Sequence, residues 1–240
     1  MRYICEIKLK SPIGGDSYLL DIPSIQYLSK HKSIPLTHDV TFFVGENGTG
    51  KSTILEAIAV AFGFNAEGGT KNFRFSTKNS HSELCEHITL VKSKLPKDGF
   101  FLRAESFYNA ASYIDEIGDG ITTSYGNVSL HKQSHGESFL SLVQNRFGGN
   151  GLYILDEPES ALSPTGLFTL LIEMDMLVKK NSQFIIATHS PILLAYPSSR
   201  IYELSTNGIE AVLYKETEHY RLTKQFLDNP EQMIEYLLEK

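Results

Sequence analysis

The run Gly45-Glu46-Asn47-Gly48-Thr49-Gly50-Lys51-Ser52 carries the clearest chemistry in the chain. Its spacing is G-x-x-x-x-G-K-[ST], that of a turn which wraps a phosphate. Gly45 and Gly50 let the backbone bend so that successive N–H groups point inward at an anion, and Gly48 keeps side chains out of the way. Lys51 brings a point charge to the outer phosphates, and the Ser52 hydroxyl is a ligand for Mg²⁺. The helix that begins here adds its positive dipole end. Glu46, Asn47, Thr49 and Thr53 complete the candidate nucleotide-contacting set.

Three further stretches carry groups that such a turn needs. "LYILDEPES" ends an apolar run with Asp156-Glu157. Asp156 is the candidate second Mg²⁺ ligand, and Glu157 is placed to orient or deprotonate an attacking water. "FIIATHSP" puts His189 at the end of another apolar run, within reach of a γ-phosphate if the two runs are neighbouring parallel strands. In "QSHGESF", Ser134 and Glu137 form a capping box at a helix start. Ser134 and Gly136 there also make an anion site, which serves a second subunit if it lies beyond the chain's own nucleotide.

The elements that must position these residues follow from pattern. "YICEIKL" alternates as a strand. "VTFFV", "GLYILDE" and "QFIIATHS" are short apolar runs, as expected of strands buried on both faces. From Lys51, Ile54, Leu55, Ile58, Ala59 and Phe62 fall at helical spacing, and Gly63 closes the helix. Residues 165–180 have helical periodicity between two of the strands, and this β-α-β alternation predicts a mostly parallel sheet flanked by helices. The Pro- and Gly-rich stretch from Ser11 to His38 reads as one or two strands with irregular connections. Residues 65–80 read as a polar loop, and 83–95 as a helix. "KDGFFLRAES" reads as a turn into a strand, 106–147 as mixed helix with a glycine-rich loop near 118–126, 201–214 as a hairpin around Asn207-Gly208, and 222–240 as two short helices broken at Pro230.

Bulk properties set limits. The chain has 240 residues, 41% of them hydrophobic, enough for a sizeable core without staples. Its two cysteines, Cys5 and Cys85, make no disulfide framework or zinc site and fit a reducing cytoplasm. The N-terminus lacks the apolar stretch of a secretory signal, and no run approaches the roughly 18 apolar residues of a membrane span. The net charge of −6 gives no support for nucleic-acid binding. Lys71, Arg74 and Lys78, interleaved with Phe73 and Phe75, leave two readings open: base stacking, or a solvated loop anchored by two core phenylalanines.

In this order the motifs resemble those of the ATP-binding-cassette (ABC) ATPases. "GENGTGKS" resembles their Walker A, "SHGES" (Ser134, His135, Gly136, Glu137) their signature, "LYILDE" their Walker B, "SALS" (160–163) their D-loop and "THS" their switch histidine. The wording is most similar to the branch of chromosome-maintenance, recombination-repair and overcoming-lysogenisation-type ATPases, and to small stand-alone bacterial members without a coiled coil. The resemblance covers about residues 40–195. It implies an α/β P-loop fold with a mostly parallel sheet, an antiparallel β portion and a small helical subdomain. It also implies a single domain over 1–240, with a helical signature subregion at about 100–150 and a C-terminal helical tail at 215–240. ATP and Mg²⁺ are the implied cofactors, and the implied assembly is an ATP-dependent homodimer. Lys51, Ser52, Asp156, Glu157 and His189 then act in cis and Ser134 to Glu137 in trans.

Three departures accompany the resemblance. No glutamine lies between Lys51 and Lys132, where the family's transporter members place a Mg²⁺ ligand, so Glu105 or Ser106 either substitutes or is an ordinary strand end. His135 and Glu137 replace a signature glycine and glutamine. Ser163 replaces the usual D-loop aspartate. Three functions are thereby weighed: a cytoplasmic ATP-gated switch in DNA maintenance or defence, with an unknown protein or nucleic-acid partner; the nucleotide-binding subunit of a transporter; and a non-hydrolysing scaffold.

Overall fold

Strand β3, Val40–Gly45, is buried along its whole length because apolar layers cover both of its faces. A computed structural model describes residues 2–70, 82–103 and 134–238. Glu105, Ser106, the Lys71–Lys78 stretch, the glycine-rich loop near 118–126 and most of the expected helical subdomain lie outside the described residues.

The strands are β1 (Ile4–Leu9), β2 (Ser33–Pro35), β3, β4 (Ile88–Lys92), β5 (Asp98–Arg103), β6 (Gly151–Asp156), β7 (Gln183–Ala187), β8 (Arg200–Ser205) and β9 (Gly208–Val212). The helices are α1 (Pro23–His31), α2 (Lys51–Phe62), α3 (Leu84–His87), α4 (His135–Arg146), α5 (Pro164–Lys179), α6 (Pro191–Leu194), α7 (Glu218–Asp228) and α8 (Pro230–Leu237). The main sheet runs β5-β6-β7-β3-β8-β9, its described strand pairs parallel except the β8–β9 hairpin. A second, antiparallel sheet runs β2-β1-β4. The architecture is therefore the expected α/β fold, a mostly parallel sheet with helices and an antiparallel β portion.

Strand alternation sorts the core into two layers. Phe43, Ile154, Ile185 and Ala187 face α1, α2 and the antiparallel sheet. Phe42, Val44, Leu155, Phe184 and Ile186 face α4, α5 and α6. Two expectations are corrected. The stretch Ser11–His38 yields α1 and only the short β2: Pro23 occupies the first helical turn, where its missing N–H costs nothing, and Ile25 and Leu28 are buried three residues apart. Residues 83–95 are not one helix but the short α3 followed by β4, whose partner is β1. The β-branched Ile88, Thr89 and Val91 suit that pairing.

One side chain ties the two sheets together. Gln183 on β7 is fully buried. Its Oε1 accepts from the Tyr3 N–H (2.7 Å) and the Ile4 N–H (2.9 Å), and its Nε2 donates to the Ile4 carbonyl (2.8 Å). The amide thus pairs with β1 as a strand backbone would. Gln183→Leu leaves these backbone groups without a partner, and we expect a loss of about 2–3 kcal/mol, read as a lower urea midpoint with an unchanged slope.

A second polar knot closes the N-terminal end of β5 and β6. Asp98 Oδ1 accepts from Arg146 (2.7 Å), and Oδ2 accepts from the Gly148 N–H (2.9 Å) and the Tyr153 hydroxyl (2.8 Å). Burial pushes the Asp98 carboxyl up, but these donors and the Arg146 charge outweigh it and hold it below the usual carboxylate range. Depressed in the fold, the group stabilises above its ordinary pKa of about 3.9, and the contribution is lost as pH falls through the depressed value. Asp98→Asn should cost about 1.5–3 kcal/mol near neutrality. Its deficit against wild type, measured by denaturant titration across pH, should shrink below about pH 4.

Candidate nucleotide-binding site

The glycine loop leaves β3 at Gly45 and enters α2 at Lys51. Gly45 (φ +148°) passes so close to β8 that a Cβ there would lie 2.1 Å from the Leu204 carbonyl oxygen. Gly50 caps α2 in the left-handed region (φ +98°), and a Cβ would meet Ser24 Oγ at 2.3 Å and Ile22 at 2.5 Å. The start of α1 therefore packs on the loop, and only glycine fits at these two points. Glu46, Asn47 and Gly48 are exposed at the tip. Thr49 is buried and folds back, its Oγ1 donating to the Glu46 carbonyl (2.8 Å). Thr53 follows in the first turn of α2, half-buried.

Lys51 is buried, and its Nζ donates to the carbonyls of Gly45 (2.8 Å) and Glu46 (3.1 Å). Burial lowers the pKa of its ammonium, while Glu157, Asp156, Glu46 and Glu159 pull it back up. Ser52 Oγ donates to Asp156 Oδ1 at 3.1 Å. This single bond joins α2 to the end of β6 across 104 residues of chain.

Asp156 is 4% exposed. Its other oxygen, Oδ2, lies 3.6 Å from Arg103 Nε, and Arg103 in turn donates to Glu56 Oε2 at 2.9 Å. Arg103 is level with Asp156 in the parallel register, so it holds one carboxylate oxygen while Ser52 engages the other. Arg103 and Glu56 were not among the residues singled out from sequence. The only sequence signal was an arginine two residues before Glu105 on the same expected strand.

Glu157 adopts a left-handed backbone (φ 51°, ψ 53°), uncommon for a non-glycine residue. Its N–H bonds the Ala187 carbonyl at 2.9 Å, which holds the turn against β7. Its Oε1 lies 3.5 Å from His189 Nε2. The buried carboxylate of Glu159 braces the other side: it accepts from Thr188 Oγ1 (2.8 Å) and from the His189 N–H. Burial raises the Glu159 pKa, against the pull of the His189 N–H and the Thr188 hydroxyl. Burial, then the Lys51 charge and the neighbouring His219 ring, lower that of His189, against the pull of Glu157. His189 Nδ1 lies 2.8 Å from Nε2 of His219 on α7. Sequence reasoning missed His219, which nothing local distinguishes from a surface histidine.

The structure thus brings Lys51, Ser52, Asp156, Glu157 and His189 to one edge of the sheet. Ser134 and Glu137 form the expected capping box: the Glu137 N–H meets Ser134 Oγ at 3.4 Å, and the Ser134 N–H meets Glu137 Oε2 at 2.9 Å. His135 is exposed. Gly136 backs onto the turn after Glu157, where a Cβ would lie 3.0 Å from the Ala161 carbonyl oxygen. The described hydrogen bonds of Ser134 and Glu137 stay within α4 and its cap, the Ser134 carbonyl accepting from the Ser138 N–H (2.9 Å) and hydroxyl (3.0 Å). Ser163 caps α5, its hydroxyl accepting from the Gly166 N–H at 3.2 Å.

A family model described as "AAA domain" matches residues 20–139, half of the chain. A second AAA-domain model, described with the AbiEii toxin and type IV toxin–antitoxin systems, matches residues 138–195. The chain belongs to the AAA-domain family and is an ATP-binding α/β domain, in agreement with the resemblance drawn from its motifs. Among solved structures it is similar to the SMC head domain from Thermotoga maritima, at 16% identity and TM-score 0.46, over 88% of this chain and 99% of that one. It is similar to a metal-chelate type ABC transporter in an inward-facing conformation, at 14% identity and TM-score 0.49, over 95% and 90%. It is also similar to cbiO1 from Clostridium perfringens, part of the ABC transporter complex cbiONQ, at 15% identity and TM-score 0.49, over the full length of both chains. No curated protein matches the chain. Among the described residues no helix is long and apolar enough to cross a membrane.

Proposed function

We propose that the chain is a Mg²⁺-dependent ATPase of the ABC type, one domain over residues 1–240, working in the cytoplasm as an ATP-gated homodimeric switch. The observation that carries this reading is the 3.1 Å contact between Ser52 Oγ and Asp156 Oδ1, with Glu157 and His189 beside it. A hydroxyl and a carboxylate are the hard oxygen donors that Mg²⁺ takes, and two protein ligands leave the remaining positions to phosphate and water. Among the described residues no group of three His, Cys, Asp or Glu side chains would hold a metal alone, which suits an ion shared with a nucleotide. Bound there, Mg²⁺ would neutralise charge on the β- and γ-phosphate oxygens.

The remaining roles fall to the chain's own groups. Lys51 and the inward N–H groups of residues 45–52 hold the phosphates. Arg103 keeps Asp156 oriented toward Ser52. Glu157 orients or deprotonates the attacking water, and His189 contacts Glu157 and the γ-phosphate. The exposed helix start at Ser134–Glu137 meets the nucleotide of a second copy, which makes closure depend on ATP. The mention of toxin–antitoxin systems in the second family description favours defence over DNA maintenance as the setting.

The mass of Glu157→Gln in solution, by light scattering with and without Mg-ATP, tests this reading. With its base removed the variant should trap ATP, and its mass should double only with nucleotide. Lys51→Ala should bind ATP at least about tenfold more weakly, since a buried charge contact of about 1.4 kcal/mol or more is lost, and should stay monomeric. A constant mass with ATP bound overturns the homodimer. Absence of phosphate release by wild type in Mg-ATP overturns the ATPase.

A further inference from the structure

We infer that His219, on the first turn of α7, is a positioning residue that fixes the proton of His189 on Nε2, the nitrogen facing Glu157. The inference rests on the ATPase reading for its catalytic consequence, but the geometry stands apart from it. His189 Nδ1 and His219 Nε2 are 2.8 Å apart, and the ring centroids are 5.0 Å apart at 52°, so the rings meet by their nitrogens and not by stacking. On the far side of His189, Nε2 lies 3.5 Å from Glu157 Oε1. On the far side of His219, Nδ1 is buried with no hydrogen-bond partner among the described residues.

A neutral pair has one proton between its two facing nitrogens, and there are two ways to place it. If His189 Nδ1 donates, His219 must carry its own proton on Nδ1. That proton is then a buried donor with nothing to bond. His189 Nε2 is then bare, and its lone pair faces the Glu157 carboxylate. If His219 Nε2 donates, the unpartnered Nδ1 is only a bare acceptor, and His189 presents Nε2–H to Glu157. Buried orphan N–H groups are rarer than buried under-satisfied acceptors, and the second arrangement also replaces a repulsion with an attraction. The partner on one ring nitrogen sets the role of the other.

The start of α7 is held firmly enough for this role. Thr217 is fully buried; its Oγ1 donates to the Tyr214 carbonyl (2.8 Å) and accepts from the Tyr220 N–H (3.3 Å). The Glu218 N–H donates to Glu203 Oε1 on β8 (2.8 Å). The His189 backbone is fixed separately by Glu159. With its main chain held and Nδ1 engaged, His189 is left with one free donor, directed at the reacting groups. Helix α7 thereby contributes to the hydrolytic centre.

Protein labelled with ¹⁵N-histidine reads the tautomers directly through two-bond ¹H–¹⁵N correlation spectra, with His189→Ala for assignment. Wild type should show His189 protonated on Nε2 and bare on Nδ1. His219→Ala should mix the tautomers, and His219→Gln, whose side-chain amide can donate in place of Nε2–H, should restore the wild-type form. In steady-state turnover of Mg-ATP, His219→Ala should lower kcat about tenfold or more with little change in KM or in ATP affinity, and His219→Gln should recover most of it. A wild-type His189 protonated on Nδ1 overturns the inference, as does a His219→Ala variant with unchanged tautomer and kcat. If wild type binds ATP without hydrolysing it, the ATPase reading fails, and the spectra alone decide the role of His219.

Discussion

The parallel register of the main sheet is the constraint on which the site depends. Across the sheet, Arg103, Asp156, Ala187, Phe43 and Tyr202 stand level with one another. On three of these strands the chain turns away within about two residues, and each of these turns carries a candidate site group: Glu157 after Asp156, His189 after Ala187, the glycine loop after Gly45. A strand slip of one residue would exchange the two apolar layers. It would therefore expose Phe42 and Phe43 to the wrong environments before it displaced a polar group at the loop edge. The hydrophobic effect thus sets the spacing of the polar groups, and burial of these strands on both faces is what makes that spacing rigid.

Two polar side chains complete this frame from within. Gln183 joins the antiparallel sheet to β7, and Asp98 ties β5, β6 and the end of α4. Each is satisfied by two or more partners, as buried polar groups require. The first sits in the middle of a strand-to-strand contact and the second at the edge opposite the nucleotide site. Together they keep the far side of the sheet fixed while the loop edge remains open to ligand.

How much of this was legible in the sequence depended on distance along the chain. The β3–loop–α2 unit, the ends of β6 and β7 and the Ser134–Glu137 box are local patterns, each set by neighbours in the sequence. They were readable with their boundaries nearly right; the hairpin at β8–β9 places its turn at Thr206-Asn207, one residue before the expected centre. What failed was non-local. Residues 88–92 have no strong period of their own and become a strand because β1 offers a partner. Arg103 acquires meaning only from its register with Asp156, and His219 only from the return of α7 to the end of β7. Helix α1 was not legible within the Pro- and Gly-rich stretch because its start packs on the glycine loop.

The electrostatics of the edge bear on the proposed cofactor. Lys51 is surrounded by the charges of Glu157, Asp156, Glu46 and Glu159. Arg103 answers Asp156 from the other side but is itself shared with Glu56. Such a pocket has more carboxylates than cations, and a bare polyphosphate would be repelled by it despite the N–H groups of the loop and the dipole of α2. A divalent cation accompanying the nucleotide would remove that repulsion, and the oxygens of Ser52 and Asp156 would be the ones to hold it. Affinity for nucleotide and affinity for metal are then two faces of one equilibrium, which favours the proposed Mg²⁺ dependence over binding of the free nucleotide. The same excess of carboxylates offsets part of what burial costs the Lys51 ammonium, which bonds the Gly45 and Glu46 carbonyls beside the loop.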